Sequence, residues 1–257
     1  MENIEKINST FELYEHIGLD GLENMIKTGS LNQVSPIEVG IISRHLQSVL
    51  GPVFRSVLKN KNTSILEVGC GNGRLATLLS ENCNYYGIDT NREYVSYCKK
   101  RIKNGNFEEY DFRKIDISGF ISLEMLPKNW PNKFNGILFP WTTINHYSFE
   151  DQIEMLKKAK NMLVEYDNES KALFLETIEI KDVQHTQMTE IHELSQGKTF
   201  IGDFSKVANK TNLKARFWFG NNDFYKNLKN ELKFDSFTVE YYTNFITNQE
   251  RMYLIYH

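Results

Sequence analysis

The chain is poor in cysteine, has no excess of basic charge and no apolar run of membrane-spanning length, and each absence removes a class of protein. Its three cysteines (Cys70, Cys83, Cys98) are odd in number and lack CxxC spacing. They form neither a disulfide framework nor a zinc site, so a reducing, cytoplasmic compartment is expected. Lys and Arg number 30 against 33 Asp and Glu, a formal net charge of -3. The basic footprint of a nucleic-acid binder is therefore missing, which argues against such a partner. The first ten residues, MENIEKINST, are polar and acidic, unlike a signal peptide, and no membrane association is expected. Repeats and low-complexity tracts are absent as well. A hydrophobic share of 40% and a charged share of 25% over 257 residues are ordinary globular values.

The first sixty residues read as helical. Ser35-Pro36-Ile37-Glu38 has the form of a capping box with proline at the first helical position. Ile42, Leu46, Val49 and Leu50 follow on one helical face, and Val53, Phe54, Val57 and Leu58 resume the pattern after Gly51-Pro52. Beyond Asn62 short strands alternate with helices. Strands are predicted at 64–68, 85–88, 112–115, 135–139 and 172–178. Helices are predicted at 73–79, from a Thr90-Asn91-Arg92-Glu93 capping box to about Arg101, and at 148–163. Such alternation predicts an α/β fold, a parallel sheet covered on both faces. From 180 to about 216 the sequence is polar and reads as a lid. A helix at 223–232 and two β-like runs, 236–242 and 251–256, close the chain as a helix and a hairpin. The expected organisation is one domain: a helical cap (1–62), a core (63–180), a substrate lid (181–220) and the C-terminal helix and hairpin (221–257).

The informative segment is Ser64-Ile-Leu-Glu-Val-Gly-Cys-Gly-Asn-Gly-Arg-Leu75. A strand ends in an acid, Glu67, and runs through Gly69, Cys70, Gly71 and Gly73 into a helix. Glycines at such a turn let backbone approach a ligand closely, since no Cβ intervenes. The spacing is GxGxG, not the GxGxxG of dinucleotide folds, and Glu67 would repel a pyrophosphate but suit an ammonium group. S-adenosylmethionine (SAM) carries such a group. Asp89 ends the second strand twenty positions after Gly69, where a carboxylate accepts from both ribose hydroxyls. Asp116 follows the third predicted strand, suited to an adenine amino group, and Ile117 can offer its N–H to a ring nitrogen.

In these residues the chain resembles the class I SAM-dependent methyltransferases. Leu66–Gly73 match the first motif, Gly87-Ile88-Asp89 the second, Asp116-Ile117 the third and Phe134–Phe139 the fourth strand, in order and spacing from Ser35 to Ile178. The resemblance implies a Rossmann-like, doubly wound, seven-stranded sheet whose last strand is antiparallel, with a lid-like insertion after strand five. It implies SAM as methyl donor and S-adenosylhomocysteine (SAH) as product, and it extends the cofactor contacts to Thr90, Phe139 and Pro140; acids arranged for the magnesium of catechol-type O-methyltransferases are missing, so no metal is expected. One departure is Glu165–Ser170, where the family commonly has Pro-Gly-Gly.

The residues after the fourth strand, Phe139 to Tyr147, face the reacting methyl in this family. They lack the Asn/Asp-Pro-Pro-aromatic signature of nucleic-acid amino methylation, and the run from Phe134 to Tyr147 is locally similar to glycine N-methyltransferase-like small-molecule enzymes. His146 is the first candidate for a base or polar anchor; its alternative is to cap the helix near Ser148. His185 and His192 are alternative bases or exposed loop residues. Tyr14, with Phe11, either closes the pocket or packs as a core aromatic. Arg44 either pairs with the cofactor carboxylate or lies on a solvated helix face. Trp141, Trp218 and Phe219 either line an aromatic substrate pocket or pack in the core. The expected function is methyl transfer to nitrogen or oxygen of a small-molecule metabolite, with oligomeric state open. The rivals are RNA or protein methylation, for which Lys99–Lys103 is the basic run, and a non-catalytic SAM-binding partner subunit.

Overall fold

The computed structural model describes residues 7–8, 10–27, 36–46, 63–114, 126–165, 171–179, 188–205, 213–244 and 249–257. Helices are α1 (Thr10–Lys27), α2 (Pro36–His45), α3 (Ala76–Leu79), α4 (Arg92–Arg101), α5 (Phe149–Asn161) and α6 (Asn222–Glu231). Strands are β1 (Ile7–Asn8), β2 (Ser64–Val68), β3 (Asn84–Asp89), β4 (Gly105–Glu109), β5 (Gly136–Phe139), β6 (Ala172–Thr177), β7 (Met188–Leu194), β8 (Gly197–Asp203), β9 (Lys214–Gly220), β10 (Phe237–Asn244) and β11 (Gln249–Tyr256).

The larger sheet has the order β10-β11-β6-β5-β2-β3-β4. Strands β2 to β6 pair in parallel, while β11 runs antiparallel to both β6 and β10. This is the seven-stranded, doubly wound sheet that the resemblance implied. Successive residues of the central strands serve opposite faces. Leu66, Ile137, Leu173 and Leu175 pack under α5 and α6. Ile65, Leu138 and Phe174 pack with α2, α3 and α4. Both faces are covered, which is why these strands read as continuous apolar runs.

Three local expectations are corrected. The third strand is β4, not 112–115, where Phe112–Lys114 form a 3-10 turn. At the sheet edge β4 buries only Phe107 among its five residues, so its sequence, GNFEE, carries no apolar pattern to read. The cap of α4 is Asn91, whose side chain accepts from the N–H groups of Glu93 and Tyr94, one residue after the expected Thr90. The polar stretch after residue 180 holds strands: β7, β8 and β9 with β1 form a second sheet of order β1-β9-β8-β7. Ala215, Phe217 and Phe219 alternate inward along β9 and pack with Leu13, Ile17 and Leu22 of α1. The outward residues of β9 and the exposed face of β7 mask that period in the sequence. The helical run expected beyond Leu46 falls at 47–62, outside the described residues. Among the described residues no helix is long and apolar enough to cross a membrane.

Candidate functional site

A cavity opens at the carboxyl ends of β2, β3, β4 and β5, roofed by Tyr14, Glu15 and Leu22 of α1. Its floor is the glycine turn after β2. Gly69 and Gly71 take φ of 76° and 52°, left-handed values that cost an L residue its Cβ clearance. The N–H groups of Gly69 and Cys70 are spent on the Ile88 carbonyl at 2.8 and 3.0 Å, which ties the turn to β3. A Cβ on Gly69 would sit 2.7 Å from the Thr143 methyl, so glycine here lets the turn after β5 close on the floor. Gly73 has a different part from the one expected. It does not line the cavity; a Cβ there would lie 2.4 Å from Ile102, so it serves the packing of α4.

Asp89 stands at the end of β3 with both oxygens engaged, Oδ2 by the Gly71 N–H at 2.8 Å and Oδ1 by the Asn91 N–H at 2.9 Å. Burial raises its pKa and these N–H donors oppose the shift. Asp89 lines the cavity, and Thr90 and Asn91 line the wall beside it. Glu67, almost fully buried, accepts from the Tyr85 hydroxyl. Burial pushes its pKa up to about 8, tempered by Tyr85 and by the Arg74 guanidinium. Cys70 also lines the cavity; its thiol is pushed up by its contact with the Cys98 thiol and by burial.

Arg74 is the cavity cation that sequence reasoning missed. Its Nη1 donates to both oxygens of Glu38 at 3.0 and 2.9 Å, and its Nη2 lies 3.6 Å from Glu176. Burial works against its charge, but these carboxylates outweigh it and raise the pKa. Glu38, read from sequence as the closing acid of a capping box, is fully buried for this pairing. Arg44 is corrected: α2 turns Glu38, Ile41 and Ile42 inward, which leaves Arg44 half exposed on the other side, paired with Glu240 and outside the cavity lining.

After β4 the cavity is lined by Tyr110 and Phe112. Between them the Asp111 carboxylate is clasped by Arg113, whose Nε and Nη2 lie 3.0 and 2.8 Å away. Asp116, Ile117 and His185 lie outside the described residues. After β5 the lining continues with Pro140, Trp141, Thr143, His146 and Tyr147. Phe139 is corrected to a core residue: it is fully buried, its ring edge-on to Phe112 at 5.5 Å. Trp218 is likewise outside the lining; it packs against the main core, and its carbonyl accepts from Asn145 at 2.8 Å and Gln152 at 3.1 Å. Phe219 is a buried core aromatic of the second sheet.

His146 ends a 3-10 turn, Thr143–His146, and faces the cavity between Tyr14 and Phe217, with ring centroids 5.3 and 5.1 Å away. The capping role that was its alternative is taken by Ser148, whose Oγ accepts from the Asp151 N–H. Burial lowers the imidazole to about 3, so it is neutral at physiological pH, and it raises the Tyr14 phenol to about 12. His192 lies on β7, more than half exposed and 3.4 Å from Glu190. Among the described residues no cluster of His, Cys, Asp and Glu could hold a metal ion.

The sequence matches the profile of a methyltransferase domain over residues 59–198, more than half of the chain. It is 24% identical over 106 residues to protein 235L of Invertebrate iridescent virus 6, which is named for a methyltransferase; the match spans 40% of this chain and 37% of that protein, little more than a third of its length. Its fold is similar to a SAM-bound amino pentose methyltransferase of calicheamicin biosynthesis from Micromonospora echinaspora (TM-score 0.57, 9% identity, 92% of this chain and 96% of that one). It is also similar to SAH-bound magnesium protoporphyrin IX methyltransferase from Synechocystis PCC 6803 (TM-score 0.55, 12% identity, 97% and 99%). The chain therefore belongs to the methyltransferase domain family, and it has the class I sheet expected of an enzyme that uses SAM.

Proposed function

We propose that the cavity binds SAM and that the chain moves its methyl group to a nucleophilic atom of a small-molecule metabolite. The observation that carries this reading is the pair of acids, Glu67 and Asp89, ending adjacent parallel strands on either side of a glycine floor. SAM, when bound, supplies a methyl group on a sulfonium and leaves as the neutral thioether SAH. In this assignment Asp89 accepts from the ribose hydroxyls and Tyr110 and Phe112 flank the adenine. Glu67 faces the ammonium, and the Arg74 guanidinium, already paired with Glu38 and Glu176, lines the same cavity. The glycine floor fits such a ligand because no side chain rises from Gly69 or Gly71 into the space.

Tyr14, Trp141, His146 and Tyr147 form the acceptor wall. Alignment of the acceptor's lone pair with the methyl group is the main demand on that wall. His146, neutral and hard to protonate, acts as a hydrogen-bond acceptor that orients the incoming group rather than as a strong base. That favours an acceptor nitrogen that enters uncharged over an aliphatic hydroxyl, which needs a base near neutrality. The sugar and porphyrin methyltransferases of similar fold support a small-molecule substrate. We assign residues 1–62 as a cap, 63–180 as the cofactor core, 181–220 as the lid and 221–257 as the closing helix and hairpin. Calorimetry with SAH and NAD tests the central reading: SAH binds and NAD does not, and the reverse result would refute it.

A further inference from the structure

The turn after β5 holds a backbone conformation that its own residues resist. Trp141 and Thr142 have φ of 58° and 60°. Neither is a glycine, and the left-handed region is disfavoured about tenfold for each such residue. Two residues together persist there only if the surroundings over-determine them.

Glu176, at the end of β6, supplies that determination. Its Oε2 accepts the Trp141 N–H at 2.6 Å, and its backbone carbonyl accepts the Thr142 N–H at 3.0 Å. Its other oxygen, Oε1, accepts from Tyr242 of β10 at 2.7 Å and Arg251 of β11 at 2.6 Å. Burial opposes the charge of Glu176, but Arg251 and Arg74 hold the carboxyl below its ordinary range. The Trp141 ring in turn packs under both guanidiniums, 5.2 Å from Arg74 and 5.9 Å from Arg251. A carboxylate is the one side chain of this size that accepts at both ends at once. Downstream of the pinned pair, Thr143 reaches the glycine floor and His146 reaches the cavity.

We propose that Glu176 is a positioning residue of the methyl-transfer site, holding Trp141 and Thr142 left-handed so that Trp141, Thr143 and His146 meet the cavity. The proposal rests on the reading of this cavity as the SAM site. Glu176 touches neither cofactor nor acceptor in it and acts through the turn.

The test pairs Glu176→Asp with Thr142→Gly. Aspartate keeps a negative charge for the arginines but draws the carboxylate back from the Trp141 N–H. Glycine accepts the left-handed conformation without the Cβ penalty. SAH affinity, read by calorimetry, is expected to fall about tenfold in Glu176→Asp and to return to within about threefold in the double variant, with Thr142→Gly alone within about twofold of the parent. A purely structural charge network would not respond to a glycine at 142. Hydrogen exchange over residues 140–146 reads the turn independently of any ligand. The Asp variant should exchange about tenfold faster than the parent, and the glycine should restore protection. Unchanged exchange in Glu176→Asp, or no recovery by Thr142→Gly, overturns the proposal. A parent chain that protects the turn but does not bind SAH overturns the SAM reading instead. Glu176→Gln, which must turn an amide N–H toward either Trp141 or Arg251, gives the same comparison by a second route should the Asp variant not fold.

Discussion

On one side of the cavity, the ends of β2 and β3 present Glu67 and Asp89 over a glycine turn. On the other, Tyr14 of α1 and the Trp141–Tyr147 segment form an aromatic wall. The first side is made from about 25 consecutive residues, and it presents backbone N–H groups and two carboxylates. The second is assembled from segments more than a hundred positions apart, and its polar groups are shaped by burial: a neutral His146 and a Tyr14 phenol held protonated. In the proposed reading, the cofactor shared by the family meets local, repeatable geometry, and the acceptor meets surfaces that tertiary packing can vary.

That contrast can be broken or sharpened by substitution. The largest effect is expected for Asp89→Ala, which removes the acceptors assigned to the ribose hydroxyls and leaves the Gly71 and Asn91 N–H groups without their partner. SAH affinity should fall about a hundredfold or more, and a loss under tenfold would move the ribose site elsewhere. Gly69→Ala drives a methyl toward Thr143 in a left-handed position, and affinity should fall about thirtyfold with a lower unfolding temperature.

Glu67 yields a pH signature. In the ligand-free protein its pKa is raised from 4.5 to about 8, so it is protonated near neutrality and must ionise to face an ammonium. SAH binding should therefore release a proton, and affinity should climb with pH toward about 8, by up to about tenfold per unit. Glu67→Gln should flatten that slope. The same raised pKa makes this group's share of ligand-free stability fall as pH rises from 4.5 through about 8, which thermal unfolding across that range would register.

On the aromatic wall, His146→Phe should leave SAH affinity within about threefold while lowering methyl transfer about tenfold, once an acceptor is in hand. Because the folded imidazole sits near 3 and the unfolded one at 6.5, the unfolded chain takes up the proton first, and His146 costs stability as pH falls from 6.5 toward 3. The Phe variant should resist acid better. The smallest effect belongs to Arg44→Ala. Its ion pair with Glu240 is half exposed, so stability should change by about 0.5 kcal/mol or less and SAH affinity not at all. A clear loss of SAH binding would restore Arg44 to the cofactor site.

Much of the larger sheet was legible, because β2, β5 and β6 are buried on both faces and read as short apolar runs between glycines and helix caps. The edge strand β4 was not, since an edge buries one residue in five and leaves no period. The strands β7 to β9 were passed over as polar loop for a related reason: their solvent faces carry Glu190, Glu193, Lys198 and Lys214, which dilute the inward alternation of β9. Among site residues, Glu67 and Asp89 were readable because a carboxylate at a strand end follows from position alone. Arg74 was not, as its place depends on Glu38, thirty-six residues earlier and on another element.

By itself the sequence determined the buried strands β2, β3, β5 and β6 with the helices between them, the glycine floor and the two acids beside it, since each follows from local spacing and backbone geometry. Only the tertiary structure decided which cation reaches the cavity, which aromatics form its far wall, and that Trp141 and Thr142 are pinned left-handed by Glu176. Those choices are made by burial and by partners distant in the chain, and a local pattern carries no record of either.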